Sequence, residues 1–228
     1  MSAVAPGVVT DEGNPVPPDK RFSPEIVESW RGRRILDFGC GIGRDVIWLQ
    51  ERGFDVWGLE LRPELCAHVP NCGKVTGQFD VIYSVDSMEH FPDPLGALCH
   101  MKERLTPGGR VFISFQPPWL HPYGSHLHYM TKLPWVHLYV PERVLMKWRE
   151  KYVQDGARHF EEVSGGLNRM TIRKFKSVVM EAGLQFESFR IRAIRDMQFL
   201  VTMPLLREFF AEKITATIAL ADGRKPKT

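Results

Sequence analysis

The sequence predicts an α/β protein whose doubly wound sheet is mostly parallel, and three observations carry that prediction. Residues 35–43, Ile-Leu-Asp-Phe-Gly-Cys-Gly-Ile-Gly, run from an apolar strand into a glycine-rich loop. A second strand, Asp55–Glu60, follows a helical stretch and ends in an acid. Further apolar strands then alternate with helical segments. In open α/β sheets, ligands bind beyond the carboxyl ends of the strands, so the glycine loop marks the predicted site.

The first elements can be placed in order from apolar spacing and glycine stops. Residues 1–24 are rich in proline and lack apolar periodicity, which predicts a mobile or loosely docked N-terminal arm before a domain over residues 25–228. Arg33–Phe38 is the first strand, and Arg44–Arg52 has the spacing of a helix that Gly53 ends.

The remaining elements follow the same rules. They are a strand at Phe79–Ser84, a helix at Pro94–Leu105, a strand at Arg110–Phe115, a helix at Thr171–Ala182, a short helix near Pro204–Ala211 and an antiparallel pair at Gln185–Ile194 and Lys213–Ala221. A helix over Leu205–Leu220 is the competing prediction for the last segment. Residues 116–170 are too long for an ordinary connection, so we predict a lid-like insertion there.

Composition indicates an ordinary globular protein. The chain has 228 residues, 43 % of them apolar, and a net charge of +3, which is too small to indicate nucleic acid binding. There is no apolar leader and no run of about 18 apolar residues, so we expect a cytoplasmic protein with no membrane span. The cysteines at positions 40, 66, 72 and 99 form no Cys-x-x-Cys pair and have no zinc-like spacing, so we expect reduced thiols.

The spacing of the glycines narrows the class of ligand. A dinucleotide fingerprint reads Gly-x-Gly-x-x-Gly, whereas this loop reads Gly-x-Gly-x-Gly, and Arg44 stands where the third dinucleotide glycine would be. No phosphate-loop lysine follows. The pattern therefore disfavours an NAD-dependent oxidoreductase, which we keep as an alternative, and a nucleoside triphosphate.

The loop resembles motif I of the class I S-adenosylmethionine-dependent methyltransferases. Residues 79–84 resemble the fourth strand of that family, residues 87–94 (Ser-Met-Glu-His-Phe-Pro-Asp-Pro) are similar to its small-molecule, ubiquinone/menaquinone-type branch, and residues 105–110 resemble the turn before its fifth strand. The resemblance implies a seven-stranded-type sheet with an antiparallel last strand. It also implies S-adenosylmethionine as cofactor, S-adenosylhomocysteine as product and an enzyme that methylates a small molecule.

The same resemblance implies which residues bind the cofactor. Glu60 matches the acid that holds the ribose, and its two acceptor oxygens suit a vicinal diol. Asp37 would order the loop, and residues 84–86 would line the methionine side. The full predicted set is Asp37, Gly39, Cys40, Gly41, Gly43, Glu60, Leu61, Ser84, Val85 and Asp86.

The stretch between Glu60 and Phe79 is short for this family. Its 18 residues cannot hold two helices, the third strand and that strand's acidic loop at about 1.5 Å per helical and 3.3 Å per strand residue. We therefore predict that the third strand is shortened or missing and that the usual adenine-binding acid is absent. A second copy of the chain could cover the free sheet edge, which makes a homodimer one option.

Three histidines are the candidate catalytic bases: His90, His126 and His128. His90 lies beside Glu89 close to the expected methyl position, although such a pair can also serve packing or capping. The spacing from His121 to His128 permits a metal ion, but no carboxylate or cysteine is interleaved, so we predict no metal site. The aromatic residues of this insertion form either a small core of their own or a substrate contact, or both.

Absent motifs help to define the acceptor. The chain lacks the Asn/Asp-Pro-Pro-Tyr run of nucleic-acid amino methyltransferases and the Pro-Cys of pyrimidine C5 enzymes after the strand at residues 79–84. A small-molecule substrate is therefore expected, with oxygen as the first choice of acceptor atom and no nucleic acid partner. A non-catalytic S-adenosylmethionine-binding module of the same fold is the alternative function.

Overall fold

A six-stranded sheet organises the computed structural model, which describes residues 18–73 and 75–221. The strands are β1 (Arg34–Phe38), β2 (Asp55–Leu59), β3 (Phe79–Val85), β4 (Leu105–Phe115), β5 (Leu184–Ala193) and β6 (Ala211–Leu220). Their spatial order is β2-β1-β3-β4-β6-β5. The first four strands are parallel, and β6 runs antiparallel to both of its neighbours. The predicted fold class, mostly parallel with an antiparallel last strand, is confirmed.

Nine α-helices are found in the described residues. They are α1 (Pro18–Phe22), α2 (Pro24–Glu28), α3 (Arg44–Gln50), α4 (Pro94–Glu103), α5 (Val136–Tyr139), α6 (Glu142–Arg149), α7 (Ile172–Glu181), α8 (Gln198–Thr202) and α9 (Arg207–Phe210). Side chains cap two of the predicted helices: Asp93 accepts the Gly96 N–H at 2.9 Å, and Thr171 accepts the Lys174 N–H at 3.0 Å. Within the described ranges, every helix is too short or too polar to cross a lipid bilayer.

Alternate residues of the strands bury opposite faces of the sheet, as the two-residue period of a strand requires. On one face, Leu36 and Ile113 pack with apolar residues of α4 and α7. On the other face, Ile35 and Phe112 pack with α2, α3 and the segment that follows β2. The strand β1, which leads into the glycine loop, is therefore buried on both faces.

The last segment is a strand, so the competing helix over residues 205–220 is wrong. Residues 211–220 pair with β4 on one side and with β5 on the other, and these hydrogen bonds outweigh the helical propensity of the segment. Where the sequence predicted one short helix before this strand, the structure has two, α8 and α9.

The third strand of the family is reduced to one parallel bridge between Gly58 and Cys72. A short 3-10 helix, Pro63–Leu65, precedes it, and the chain then returns directly to β3. The predicted loss of this strand is confirmed for the described part of the segment, and β2 is the outer strand of the sheet on this side.

The described part of the predicted N-terminal arm is helical and docked. Residues 1–17 lie outside the described residues. Phe22 is buried and its ring lies 5.5 Å from that of Trp30, and Arg21 forms a 2.7 Å ion pair with Asp45 in the first turn of α3. The division of the chain into arm and domain at residue 24 stays a prediction.

Residues 116–170, the predicted insertion, contain an apolar core of their own. Its buried members are Leu127, Met130, Val136, Leu145, Met146, Phe160 and Leu167. Asn168 fastens the segment to the residues after β3: its N–H donates to Glu89 O at 2.9 Å, and its side-chain amide donates to Met88 O and Phe91 O at 2.8 Å. The insertion therefore lies against the residues that follow β3.

Candidate functional site

The glycine loop is fixed on one side and open on the other. The N–H groups of Gly39 and Cys40 donate to Leu59 O at 2.7 and 3.1 Å, which ties the loop to β2. Gly39 has φ +87°, and a Cβ there would lie 2.7 Å from Ser87 Oγ, so only glycine fits. Gly41 has φ +54°, but a Cβ there would meet no atom within 4 Å. A ligand can therefore approach the backbone at Gly41.

Glu60 places its carboxylate against this open part of the loop. Its Oε2 accepts the Gly41 N–H at 2.8 Å, and its Oε1 accepts the Arg62 N–H at 3.2 Å. The side chain is 11 % exposed. Each carboxylate oxygen has a further lone pair, so both can still accept a hydroxyl from a ligand. A pair of adjacent hydroxyl groups is the chemistry that this arrangement can bind.

Two apolar side chains are exposed beside the carboxylate and the loop. Leu61, a predicted cofactor residue, is 68 % exposed, and Ile42, which the sequence analysis did not select, is 42 % exposed. Because exposing such large apolar groups is unfavourable, a flat apolar ligand surface would be stabilised against them. Among loop residues, Gly43 is buried against Val69, and Cys40 directs its sulfur toward β2 rather than toward the opening.

Asp37 lies behind the loop in β1. Only 4 % of it is exposed, and burial holds the pKa of its carboxyl well above the usual range. The nearby Asp45 raises that pKa further, while the Tyr83 hydroxyl acts in the opposite direction. Asp37 therefore lies beneath the loop and not at its open surface, and its role in ordering the loop stays a prediction.

The three predicted residues after β3 occupy different positions. Ser84 is fully buried inside the sheet, Val85 is half-buried, and Asp86 is exposed at the carboxyl edge with φ 48°. The Asp86 N–H donates to Ser114 O at 2.8 Å. Surrounding protein raises the pKa of the Asp86 carboxyl by desolvation, and the nearby Lys213 ammonium opposes that shift. Asp86 is therefore accessible at this edge, Val85 packs against the core that contains Ile35 and Phe112, and Ser84 is enclosed.

His90 is held by the insertion. Its Nδ1 lies 2.6 Å from Gly166 O, and because a carbonyl can only accept, Nδ1 carries the proton. The unprotonated Nε2 of the neutral ring is then an acceptor. Burial lowers the pKa of His90, so the ring is neutral at pH 7. The arrangement can accept a proton at a defined atom.

The ring of His126 packs against that of His90, whereas the ring of His128 packs against Tyr129. The rings of His90 and His126 meet edge to face with centroids 5.4 Å apart, while the His128 ring packs beside Tyr129 at 6.3 Å. Burial lowers the pKa of His126 to about 3, and the neighbouring His90 contributes. The buried Nε2 of His126 has no hydrogen-bond partner within the described ranges.

Several residues of the site were not selected from the sequence. Ser87 Oγ donates to Gly39 O at 3.1 Å and joins β3 to the glycine loop. Glu89 is buried and accepts the Gln116 N–H at 3.3 Å, and burial holds the pKa of its carboxyl well above the usual range. Ser87 and Glu89 lie inside the motif at residues 87–94, so that motif could have identified them as site residues. No sequence feature near Gly166 indicates that it contacts the site.

The family model described as "Methyltransferase domain" matches residues 19–188. Curated relatives include the ubiquinone biosynthesis O-methyltransferases of Aeromonas salmonicida, 31 % identical over 36 % of this chain and 43 % of the relative, and of Pseudomonas aeruginosa, 29 % identical over 36 % and 44 %. The chain thus spans less than half the length of the curated relatives it matches.

Solved structures share the fold. An S-adenosylmethionine-dependent methyltransferase from Mesorhizobium loti superposes with a TM-score of 0.53 and 19 % identity over 85 % of this chain and 95 % of that one. Another from Clostridium acetobutylicum has a TM-score of 0.52 and 11 % identity over 83 % and 84 %. At such identities the likeness establishes the architecture.

Proposed function

The chain belongs to the methyltransferase-domain family, and from that premise we propose that it is an S-adenosylmethionine-dependent enzyme that methylates an oxygen atom of a small molecule. The observation that carries the proposal is the Glu60 carboxylate on the Gly41 N–H, at the open part of the glycine loop. This arrangement suits the adjacent hydroxyl groups of the cofactor's ribose.

The residues around the loop fit S-adenosylmethionine. Glu60 would hold the two ribose hydroxyls, the loop near Gly41 would receive the aminoacyl end, and Leu61 and Ile42 would contact the adenine ring. The opening at Gly41, which an added Cβ would occupy, supports this placement. When bound, the cofactor would supply an electrophilic methyl group on a sulfonium. The leaving group would be a neutral thioether, so no acid would be needed to protonate it.

The proton of the acceptor is the part of the reaction that this chain must remove. We assign that role to His90, because its Nδ1 proton is held by Gly166 O and its neutral ring leaves Nε2 to accept. A positioned base contributes about 10²–10⁴-fold to such a step. His126, with its pKa lowered to about 3, is a much weaker base, so it serves as the packing partner that orients His90. His128 packs beside Tyr129 and takes no assigned role.

The acceptor is proposed to be small and partly aromatic or apolar. The insertion has its own core and is fastened to Met88 and Phe91, so it can cover a guest at the carboxyl edge of the sheet. The names of the curated relatives, which are O-methyltransferases of ubiquinone biosynthesis, support oxygen as the acceptor atom. Positioning of acceptor and methyl carbon can account for as much as about 7–11 kcal/mol of barrier lowering.

The test is product formation with a panel of phenols and catechols and a matched panel of anilines. The purified chain is incubated with methyl-labelled S-adenosylmethionine, and the products are identified by mass. O-methylated products support the proposal, and methylation of the anilines alone contradicts it. The variant His90→Gln should lose roughly 10²–10⁴-fold in turnover while its affinity for S-adenosylhomocysteine is unchanged. His68→Gln, a change at an exposed histidine, is the control.

A further inference from the structure

Three cysteines that are separated in the sequence converge beneath the glycine loop. Cys40 belongs to that loop, and Cys66 and Cys72 belong to the segment after β2. Their three sulfur atoms all lie within 4.8 Å of one another. We call these residues the thiol cluster. The sequence spacing gave no reason to group them and led to the prediction of no metal site, so the cluster is a finding of the structure.

The missing third strand explains why the sulfurs meet. In its place, the Gly58 N–H donates to Asn71 O and the Gly73 N–H donates to Gly58 O, both at 3.0 Å, which brings Cys72 over Gly58. A Cβ on Gly58 would lie 2.8 Å from the Cys40 sulfur and would also collide with that of Cys72. The glycine thus leaves the space in which these two thiols lie.

One cysteine of the cluster is enclosed, and the other two are partly accessible to solvent. Cys66 is fully buried, and its N–H donates to Pro63 O at 3.3 Å in the turn that follows the 3-10 helix. Cys40 and Cys72 are only half-buried, so an ion can reach the cluster from their side. A fourth cysteine, Cys99, lies in α4 outside the cluster.

We propose that Cys40, Cys66 and Cys72 form a three-sulfur binding site for a thiophilic metal ion such as Zn²⁺. Zn–S bonds of about 2.3 Å place the sulfurs roughly 3.8–4.0 Å apart in a tetrahedral or trigonal arrangement, which is within the span of the cluster. Thiolates select soft ions such as Zn²⁺ and Cu⁺ over Mg²⁺ and Ca²⁺. In a tetrahedral site, water would occupy the fourth position, as in other zinc sites that have three protein ligands.

Binding exchanges protons for the metal. Burial raises the pKa of the Cys72 thiol to about 12, and burial together with the nearby Asp37 raises that of Cys40, so both are protonated without a metal. On binding, S–H bonds break, S–metal bonds form and the protons pass to solvent. The bound ion would connect the glycine loop to the segment that replaces the third strand, and would hold the loop in place.

The full chain, kept reduced with a phosphine, is titrated with Zn²⁺ against a chromophoric chelator, and with Cd²⁺ while thiolate-to-metal charge-transfer absorbance is recorded. We expect one Zn²⁺ per chain and a charge-transfer band. Cys72→Ser and Cys66→Ala should weaken Zn²⁺ binding more than about 100-fold, since even changes to groups that support metal ligands cost 10–100-fold. Cys99→Ser should bind Zn²⁺ as the wild type does.

A second measurement needs no variant, in case Cys66→Ala impairs folding. Bound Zn²⁺ should slow alkylation of Cys40 and Cys72 by iodoacetamide, with the sites read by peptide mass, and should leave the rate at Cys99 unchanged. The proposal is overturned if the wild type shows no charge-transfer band and no protection. It is equally overturned if Cys72→Ser retains wild-type affinity or if Cys99→Ser loses as much as the cluster variants.

Discussion

Replacing His126 with asparagine should make folding less sensitive to acid. The pKa of His126 is about 3 in the folded chain, against 6.5 for an ordinary histidine, because the imidazole is buried. As the pH falls below 6.5, the His126 imidazole binds a proton in the unfolded chain, whereas in the folded chain it stays neutral down to about pH 3. His126 therefore lowers stability progressively over this window. Asparagine suits the site because His126 has φ 57°, a left-handed conformation that asparagine tolerates.

The size of the effect follows from the two pKa values. Each pKa unit corresponds to about 1.36 kcal/mol, and linkage gives a loss of about 2 kcal/mol for this histidine between pH 7.5 and pH 5.0. Asp37 and Glu89 act in the opposite sense, since their raised pKa values favour the folded chain as pH falls. The change of the free energy of unfolding with pH is thus the sum of contributions from several groups. Only the difference between wild type and His126→Asn gives the contribution of His126.

Urea unfolding at pH 7.5 and pH 5.0 measures that difference. With a slope of about 1–3 kcal/mol per molar urea, the wild-type midpoint should fall roughly 1 M further than that of His126→Asn. His68→Asn, a change at an exposed histidine, should behave like the wild type. Equal changes in wild type and His126→Asn, within about 0.5 kcal/mol, would refute the argument that His126 is neutral and desolvated in the folded chain.

Three further predictions concern the cofactor site and the base. Glu60→Gln should weaken S-adenosylhomocysteine binding by roughly 10–100-fold in calorimetry, because charge-assisted hydrogen bonds contribute about 1.5–3 kcal/mol, whereas Glu64→Gln should not; equal affinities would remove Glu60 from the site. Gly39→Ala should cost about 1–3 kcal/mol in thermal unfolding because its Cβ would meet Ser87, and an unchanged melting temperature would contradict that contact. As the pH is lowered, kcat/KM should fall only below pH 6.5, because His90 must be neutral to act as the base and its pKa is lowered. An apparent pKa above 6.5 on the acid side of the profile would exclude His90 as the base.

The sequence was sufficient where structure depends on local spacing. The strand Arg34–Phe38 and the glycine loop follow from the nearly continuous apolar run of a strand buried on both faces and from backbone conformations that only glycine adopts readily. The short stretch after Glu60 excluded a full third strand on length alone. These features are encoded within a few residues, so their positions could be predicted to within about two residues of the observed ends.

The rest of the site depends on contacts between distant parts of the chain. The carbonyl that orients His90 belongs to Gly166, and the ion pair of Arg21 with Asp45 joins the N-terminal helix to α3. No periodicity or motif specifies either pair, because each is set by how the insertion and the first helices pack. The convergence of the thiol cluster is of the same kind: it depends on the reduced strand after β2.

Under the proposed role of Glu60 in holding the ribose, its anchored carboxylate affects how readily the cofactor binds. A free glutamate side chain gives up about 1.5–2 kcal/mol of rotamer entropy when it is fixed by a partner. In this chain the backbone N–H groups of Gly41 and Arg62 already restrain the Glu60 side chain. Its rotamer entropy is therefore lost when the chain folds and not when the cofactor binds. An equal gain in binding free energy would be worth more than tenfold in affinity, which favours full occupancy when the nucleoside is scarce.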